Sequence, residues 1–126
     1  MTRPVRLLVA EDEPMIGRIL EHKLVREGHE VTWVRDAAAL RREAELRTAD
    51  IALVDITLEE DGIELVERLR AQGCRVASRW LVLVEARDTA GSARAALCSA
   101  DGQISKPFKP TVVAARVNEL LEVTPA

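Results

Sequence analysis

The sequence predicts a doubly wound α/β domain built on a parallel sheet of five strands, and three observations carry that expectation. Strand-like apolar runs alternate with amphipathic helical segments five times, with short connections and no low-complexity stretch between them. Three of the strand runs are continuously apolar, as strands covered by helices on both faces must be. Three runs also end in a charge that a buried strand normally avoids. Leu7-Leu8-Val9-Ala10 meets Glu11-Asp12-Glu13, Ile51-Ala52-Leu53-Val54 stops at Asp55, and Gln103-Ile104-Ser105 delivers Lys106-Pro107. Parallel crossovers are right-handed and put helices on both faces. They therefore bring those three charged ends to one edge of the sheet, where ligands of such folds bind.

The elements follow in order. Residues 5–10 form strand one. Pro14 fits the first turn of helix one, where its missing N–H costs nothing, and Ile16, Leu20 and Leu24 recur along one face. Gly28 stops that helix by taking the left-handed conformation. Glu30-Val31-Thr32-Trp33-Val34 alternates, which marks strand two as lying nearer an edge. Asp36 is a suitable cap for helix two, strand three covers 51–54, and helix three runs over 63–71 with Gly73 as its stop. Strand four is expected over 80–84, with Trp80 closing the base of the core. Asp88 or Thr89 caps the alanine-rich helix four, and strand five covers 103–105. Val113, Val117, Leu120 and Leu121 form the apolar stripe of the last helix.

Composition narrows the class. A chain of 126 residues suits one domain with a real core. Apolar residues make up 48% and charged residues 31%, with a formal net charge of −3 and no basic run, which argues against a nucleic-acid surface. No signal-peptide stretch and no membrane-length segment are present, so the expectation is a cytoplasmic domain without membrane contact. Cys74 and Cys98 lack C-x-x-C spacing and read as reduced thiols, and His22 and His29 lack the partners of a catalytic triad.

The acids at the sheet edge carry the chemistry. Carboxylates packed together repel, so without a counter-ion some hold a proton. Mg²⁺ reverses this, because it takes a few carboxylate oxygens while keeping several waters. A carboxylate can then act as a nucleophile and form an acyl phosphate. Asp55, alone at the end of an apolar strand, is the centre of such chemistry, and Lys106 supplies a point charge for the phosphoryl group. Glu11, Asp12 and Glu13 would also suit a helix N-terminus, but that role leaves Asp55 and Lys106 unexplained. A flavodoxin-like cofactor protein would need a Gly-, Ser- or Thr-rich phosphate loop after strand one, where this chain has three acids. A haloacid-dehalogenase-type phosphatase would need D-x-D there, which Glu11-Asp12-Glu13-Pro14 does not match.

Four segments in order carry a resemblance over about residues 5–122: Leu8-Val9-Ala10-Glu11-Asp12-Glu13-Pro14, Asp55-Ile56-Thr57-Leu58, Asp61-Gly62-Ile63-Glu64-Leu65 and Lys106-Pro107-Phe108. Together they resemble the receiver domain of two-component response regulators. The resemblance implies the flavodoxin-like receiver fold, with strand order 2-1-3-4-5 and five helices. It implies that Asp55 accepts a phosphoryl group from a sensor histidine kinase or a histidine phosphotransfer protein in a phosphorelay. Asp12, Asp55 and the backbone carbonyl of Thr57 would ligate Mg²⁺, with Glu11 acting through a metal-bound water. Lys106 would pair with the phosphoryl oxygens, and the Lys106–Pro107 peptide would be cis. Residues 1–126 would then be a single receiver domain without an output domain, signalling by protein–protein contact. It would be a phosphoacceptor and no enzyme, any self-phosphorylation or autodephosphorylation being intrinsic to it.

Two positions depart from the family's pattern. Glu85 stands where a Ser or Thr hydroxyl is usual, and Gln103 stands where an aromatic switch residue is usual. The loop Leu58-Glu59-Glu60-Asp61-Gly62 is also one residue short and lacks the Pro common after Leu58. Glu85 either pairs with Lys106 in the unphosphorylated protein or points away into solvent. The departures also leave open a pseudo-receiver, a binding module without regulated phosphorylation.

Overall fold

A computed structural model describes residues 5–46, 49–72 and 76–122, with side chains described throughout except at 76–78. Strands and helices alternate as β1 (Arg6–Ala10), α1 (Pro14–Arg26), β2 (Glu30–Val34), α2 (Ala37–Leu46), β3 (Ala49–Asp55), α3 (Gly62–Ala71), β4 (Val76–Glu85), α4 (Thr89–Leu97), β5 (Gly102–Lys106) and α5 (Pro110–Glu122). The five strands pair in the order β2-β1-β3-β4-β5, every pair parallel. This is the doubly wound class and the strand order expected from the sequence.

Alternation along the central strands explains their unbroken apolar runs. Leu7 and Val9 of β1, Ile51 and Leu53 of β3, and Leu81 and Leu83 of β4 face one layer, shared with Leu20 and Leu24 of α1 and Val113 and Val117 of α5. The residues between them, Leu8 and Ala10, Ala52 and Val54, and Val82 and Val84, face the layer under Leu40, Ile63, Val66, Leu69 and Ala95. Burying both faces is what keeps polar residues out of these strands. β2 lies at the edge and is only half-buried over its middle, in line with its alternating sequence. Trp80 is buried in the second layer, as expected of a residue closing the core. Asp101 fastens it: its carboxylate accepts the Trp80 N–H at 2.7 Å, and its own N–H donates to the Trp80 carbonyl at 2.8 Å.

The start and stop signals act as their chemistry suggests. Pro14 occupies the first turn of α1, and Gly28 after its end has φ +94°, which an L side chain rarely adopts. Asp36 caps α2 through the Ala39 N–H at 2.8 Å. Asp88, of the two residues proposed, caps α4 through the Gly91 N–H at 2.8 Å. The expected stop at Gly73 and the thiol of Cys74 lie outside the described residues. β4 begins at Val76, well before the expected start at 80, because its backbone already pairs with Ala49 there. Ser78 and Arg79 break the apolar run that would have announced it, while the ladder depends on peptide groups alone.

Candidate functional site

Three strand ends build the site. Asp55 is the last residue of β3 and Lys106 the last of β5, while Glu11 follows β1 directly, its N–H donating to the Val34 carbonyl at 3.0 Å. Glu11, Asp55 and Lys106 are the buried charged residues among those described. Asp12 stands beside them, exposed. Lys106 Nζ lies 2.5 Å from Asp55 Oδ2, 2.8 Å from Glu11 Oε2 and 3.8 Å from Glu13 Oε1. The other Asp55 oxygen, Oδ1, accepts both the backbone N–H and the hydroxyl of Thr57 at 2.7 Å. Glu11 Oε1 accepts the N–H of Glu13 at 3.1 Å.

The loop after β3 is held close by Gly62, whose N–H donates to the Ile56 carbonyl at 3.0 Å. A Cβ on Gly62 would sit 2.5 Å from both the Asp55 carbonyl oxygen and the Ile56 Cα, so only glycine permits this approach. Asp61 then caps α3, accepting from Ile63 and Glu64, and pairs with Arg94 of α4 at 2.5 Å. Glu59 accepts the Ala37 N–H at the start of α2, and Glu60 pairs with Arg41. The short loop is thus tied to α2, α3 and α4 at once.

Two buried carboxylates share one buried ammonium, and the charges do not balance. Burial pushes the Glu11 carboxyl up to about 7, with neighbouring Asp55 adding to the rise and Lys106 opposing it. Burial works to raise Asp55 as well, but Lys106 and the two Thr57 donors outweigh it and hold that carboxyl below its ordinary range. Lys106 is disfavoured as a cation by burial, yet Asp55 and Glu11 more than compensate and raise it. The pocket lacks a positive charge. One carboxylate oxygen each from Glu11, Asp12 and Asp55 lie within 4.8 Å of one another, so three hard oxygen donors already converge. That donor set, together with the charge deficit at Glu11, fits a hard divalent cation such as Mg²⁺.

The sequence-predicted residues Glu11, Asp12, Asp55, Thr57 and Lys106 therefore come together, and the Lys106–Pro107 peptide is cis. Of the two readings of Glu85, the pair with Lys106 does not form and the partly solvated side chain is found. Glu85 is the register partner of Lys106 across β4 and β5, but the lysine stem carries its ammonium inward to Glu11, Asp55 and Glu13. Glu11 and Asp55 are buried and need the counter-charge, whereas half-exposed Glu85 keeps water. Gln103, at the other departing position, is half-buried, and its Oε1 is enclosed without a hydrogen-bond partner. Sequence reasoning missed the Thr57 hydroxyl, the contact of Glu13 with Lys106, and Trp33, whose Nε1–H donates to the Glu11 carbonyl at 2.9 Å.

The family model of the response regulator receiver domain matches residues 7–118. The chain belongs to that family. Among its relatives, the transcriptional activator protein IrlR of Burkholderia pseudomallei is 34% identical over 119 residues, covering 93% of this chain and 50% of that protein. The response regulator protein PmrA of Pseudomonas aeruginosa is 33% identical over 122 residues, covering 95% of this chain and 54% of that protein. The chain thus spans about half the length of the curated relatives it matches. A CheY-like response regulator receiver domain protein from Methanospirillum hungatei superposes with a TM-score of 0.84 at 24% identity, covering 95% of each chain, and shares the fold. This receiver domain accordingly takes part in two-component signal transduction. Among the described residues, no helix is long and apolar enough to cross a membrane.

Proposed function

We propose that this receiver domain accepts a phosphoryl group on Asp55 from a phosphohistidine of a sensor histidine kinase or histidine phosphotransfer protein. The observation that carries the reading is the position of Asp55: a carboxylate at a sheet edge, buried, ionised and beside a buried lysine. An Asp55 oxygen attacks phosphorus, the P–N bond of the donor breaks, and the released imidazole takes up a proton. Lys106, now paired with Asp55 Oδ2, moves its charge onto the arriving phosphoryl oxygens. Thr57 keeps hold of Oδ1 and so orients the carboxylate during attack.

Asp12, Asp55 and the Thr57 backbone carbonyl would ligate Mg²⁺, with Glu11 behind a metal-bound water. When bound, the cation neutralises the acids and screens the approach of an anionic donor to an anionic acceptor. In this reading the domain is a phosphoacceptor that passes its state on by protein contact.

The surface beside the site supports a protein-borne donor. Met15 and Ile19 are exposed on α1, and with Pro14, His22 and Pro110 they line an apolar groove rimmed by Arg18 and Lys23, starting at the residue that follows Glu13. Such a groove suits the apolar face of a partner helix. The test is incubation with phosphoramidate and Mg²⁺, read by intact mass. A phosphoryl adduct that disappears in Asp55→Asn supports the reading. Absence of an adduct at every metal concentration would instead identify a pseudo-receiver.

A further inference from the structure

Trp33 is a large side chain on the edge strand β2, half-buried against the core layer that lies under α1. Its indole does not point to solvent. It lies against α1 at Gly17, so closely that a Cβ there would fall 2.1 Å from Trp33 Cε2. From that position Nε1–H donates to the Glu11 backbone carbonyl at 2.9 Å. The next residue of β2 completes the grip, because the Val34 carbonyl accepts the Glu11 N–H at 3.0 Å. Both peptide groups flanking Glu11 are therefore held by consecutive residues of one strand. The carbonyl that Trp33 holds belongs to the peptide joining Glu11 to Asp12, so its plane sets where both carboxylates emerge.

We propose that Trp33 is a positioning residue for the divalent cation, acting through the Glu11–Asp12 peptide, with Gly17 as the gap that admits its indole. This rests on the reading of Glu11, Asp12 and Asp55 as the cation site. Asp12 is exposed and receives no side-chain hydrogen bond among those described, so its aim depends on its backbone. A peptide left to rotate would spread the carboxylate over several directions and weaken ligation by a cation with strict octahedral demands. Trp33 offers the site no ligand atom, its indole N–H being spent on the Glu11 carbonyl, so its effect would be on ligand geometry alone.

The test is a Mg²⁺ titration of the whole chain, without phosphodonor, followed by amide chemical shifts. Four proteins are compared: wild type, Trp33→Phe, Gly17→Ala and Trp80→Phe. Trp33→Phe keeps an aromatic ring over Gly17 but loses the donor, and Gly17→Ala keeps the donor but displaces it. Both are expected to bind Mg²⁺ about three- to ten-fold more weakly, the range expected for loss of one partly buried hydrogen bond. Trp80→Phe removes a buried indole from the other core layer, so it controls for destabilisation and is expected to bind Mg²⁺ like wild type. Urea unfolding of each variant confirms that the titrated species is folded, and Trp33→Phe alone decides the matter if Gly17→Ala does not fold. Unchanged affinity in folded Trp33→Phe would overturn the inference while leaving the site intact. Failure of the wild type to bind Mg²⁺ would overturn the site reading and the inference together.

Discussion

The hydroxyl and the backbone N–H of Thr57 converge on a single oxygen of Asp55, Oδ1, each at 2.7 Å. The opposite oxygen is held by Lys106. Asp55 is thus fixed from both sides by donors that favour its ionised form, which is the form a nucleophile needs. Removing the hydroxyl while keeping the shape isolates one of those donors. Thr57→Val is expected to raise the Asp55 carboxyl toward its ordinary range, while Thr57→Ser leaves it in place. Carboxyl ¹³C titration of the metal-free protein reads both, and an Asp55 resonance that titrates identically in Thr57→Val and wild type would contradict the expectation.

Glu11 predicts an unusual pH dependence for the metal-free protein. Its carboxyl stands at about 7 in the folded chain against 4.5 in the unfolded one, because burial disfavours the charge. The folded state therefore holds a proton that the unfolded state has lost, and stability falls as pH rises from 4.5 through about 7. The loss is on the order of 3 kcal/mol, at about 1.36 kcal/mol for each pH unit between the two values. Asp55, shifted the other way, contributes stability above its ordinary 3.8 that is lost as pH falls toward its folded value. The contribution of these two acids to the metal-free protein therefore peaks in the mildly acidic range, between the two limbs. Urea midpoints in EDTA from pH 4 to 8 are expected to show the decline, and Glu11→Gln to flatten its neutral limb.

Asp61 has two roles that substitution separates. Its carboxylate caps α3 through Ile63 and Glu64, and it pairs with exposed Arg94. Asp61→Asn keeps an acceptor for the cap and gives up the ion pair, whereas Asp61→Ala loses both. Exposed pairs contribute little and caps about 0.5–2 kcal/mol. Urea unfolding is thus expected to find Asp61→Asn close to wild type and Asp61→Ala destabilised within that range. Equal losses in the two variants would shift the weight to the ion pair.

Gly62 is expected to tolerate no side chain. Alanine there would press on the Asp55 carbonyl and on the Ile56 backbone, neither of which can rotate away. Overpacking of this kind costs about 1–3 kcal/mol. Because the strain falls on Asp55 itself, Gly62→Ala should also slow phosphoryl uptake from a small donor. A folded, fully active Gly62→Ala protein would show that the loop moves more freely than its contacts indicate.

Much of this was legible in the sequence. Continuous apolar runs ending in a charge located β1 and β3 with the acids at their ends, and Lys106-Pro107 after a short strand pattern located the end of β5, because a buried strand excludes charge unless the charge has a use. Pro14, Gly28, Asp36 and Asp88 marked helix boundaries through backbone chemistry that depends on residue type alone. Contacts settled by competition were not legible. Register alone sets Glu85 beside Lys106, but the ammonium goes to the more deeply buried carboxylates, and depth of burial is a property of the packed fold. The indole bond of Trp33 was hidden for a similar reason, since alternation in β2 says which face a residue occupies and nothing about a gap at Gly17 on another element.

The departures at Glu85 and Gln103 leave the acceptor constellation of Asp55, Glu11, Asp12 and Lys106 whole. The most direct measurement is borohydride reduction of the protein after treatment with phosphoramidate and Mg²⁺, followed by peptide mass mapping. An acyl phosphate is reduced by borohydride to the alcohol, which converts an aspartyl residue to homoserine. Homoserine is expected at position 55, dependent on Mg²⁺ and greatly diminished when Lys106 is replaced by alanine. Homoserine at another acid, or none under conditions that saturate the metal site, would contradict that expectation.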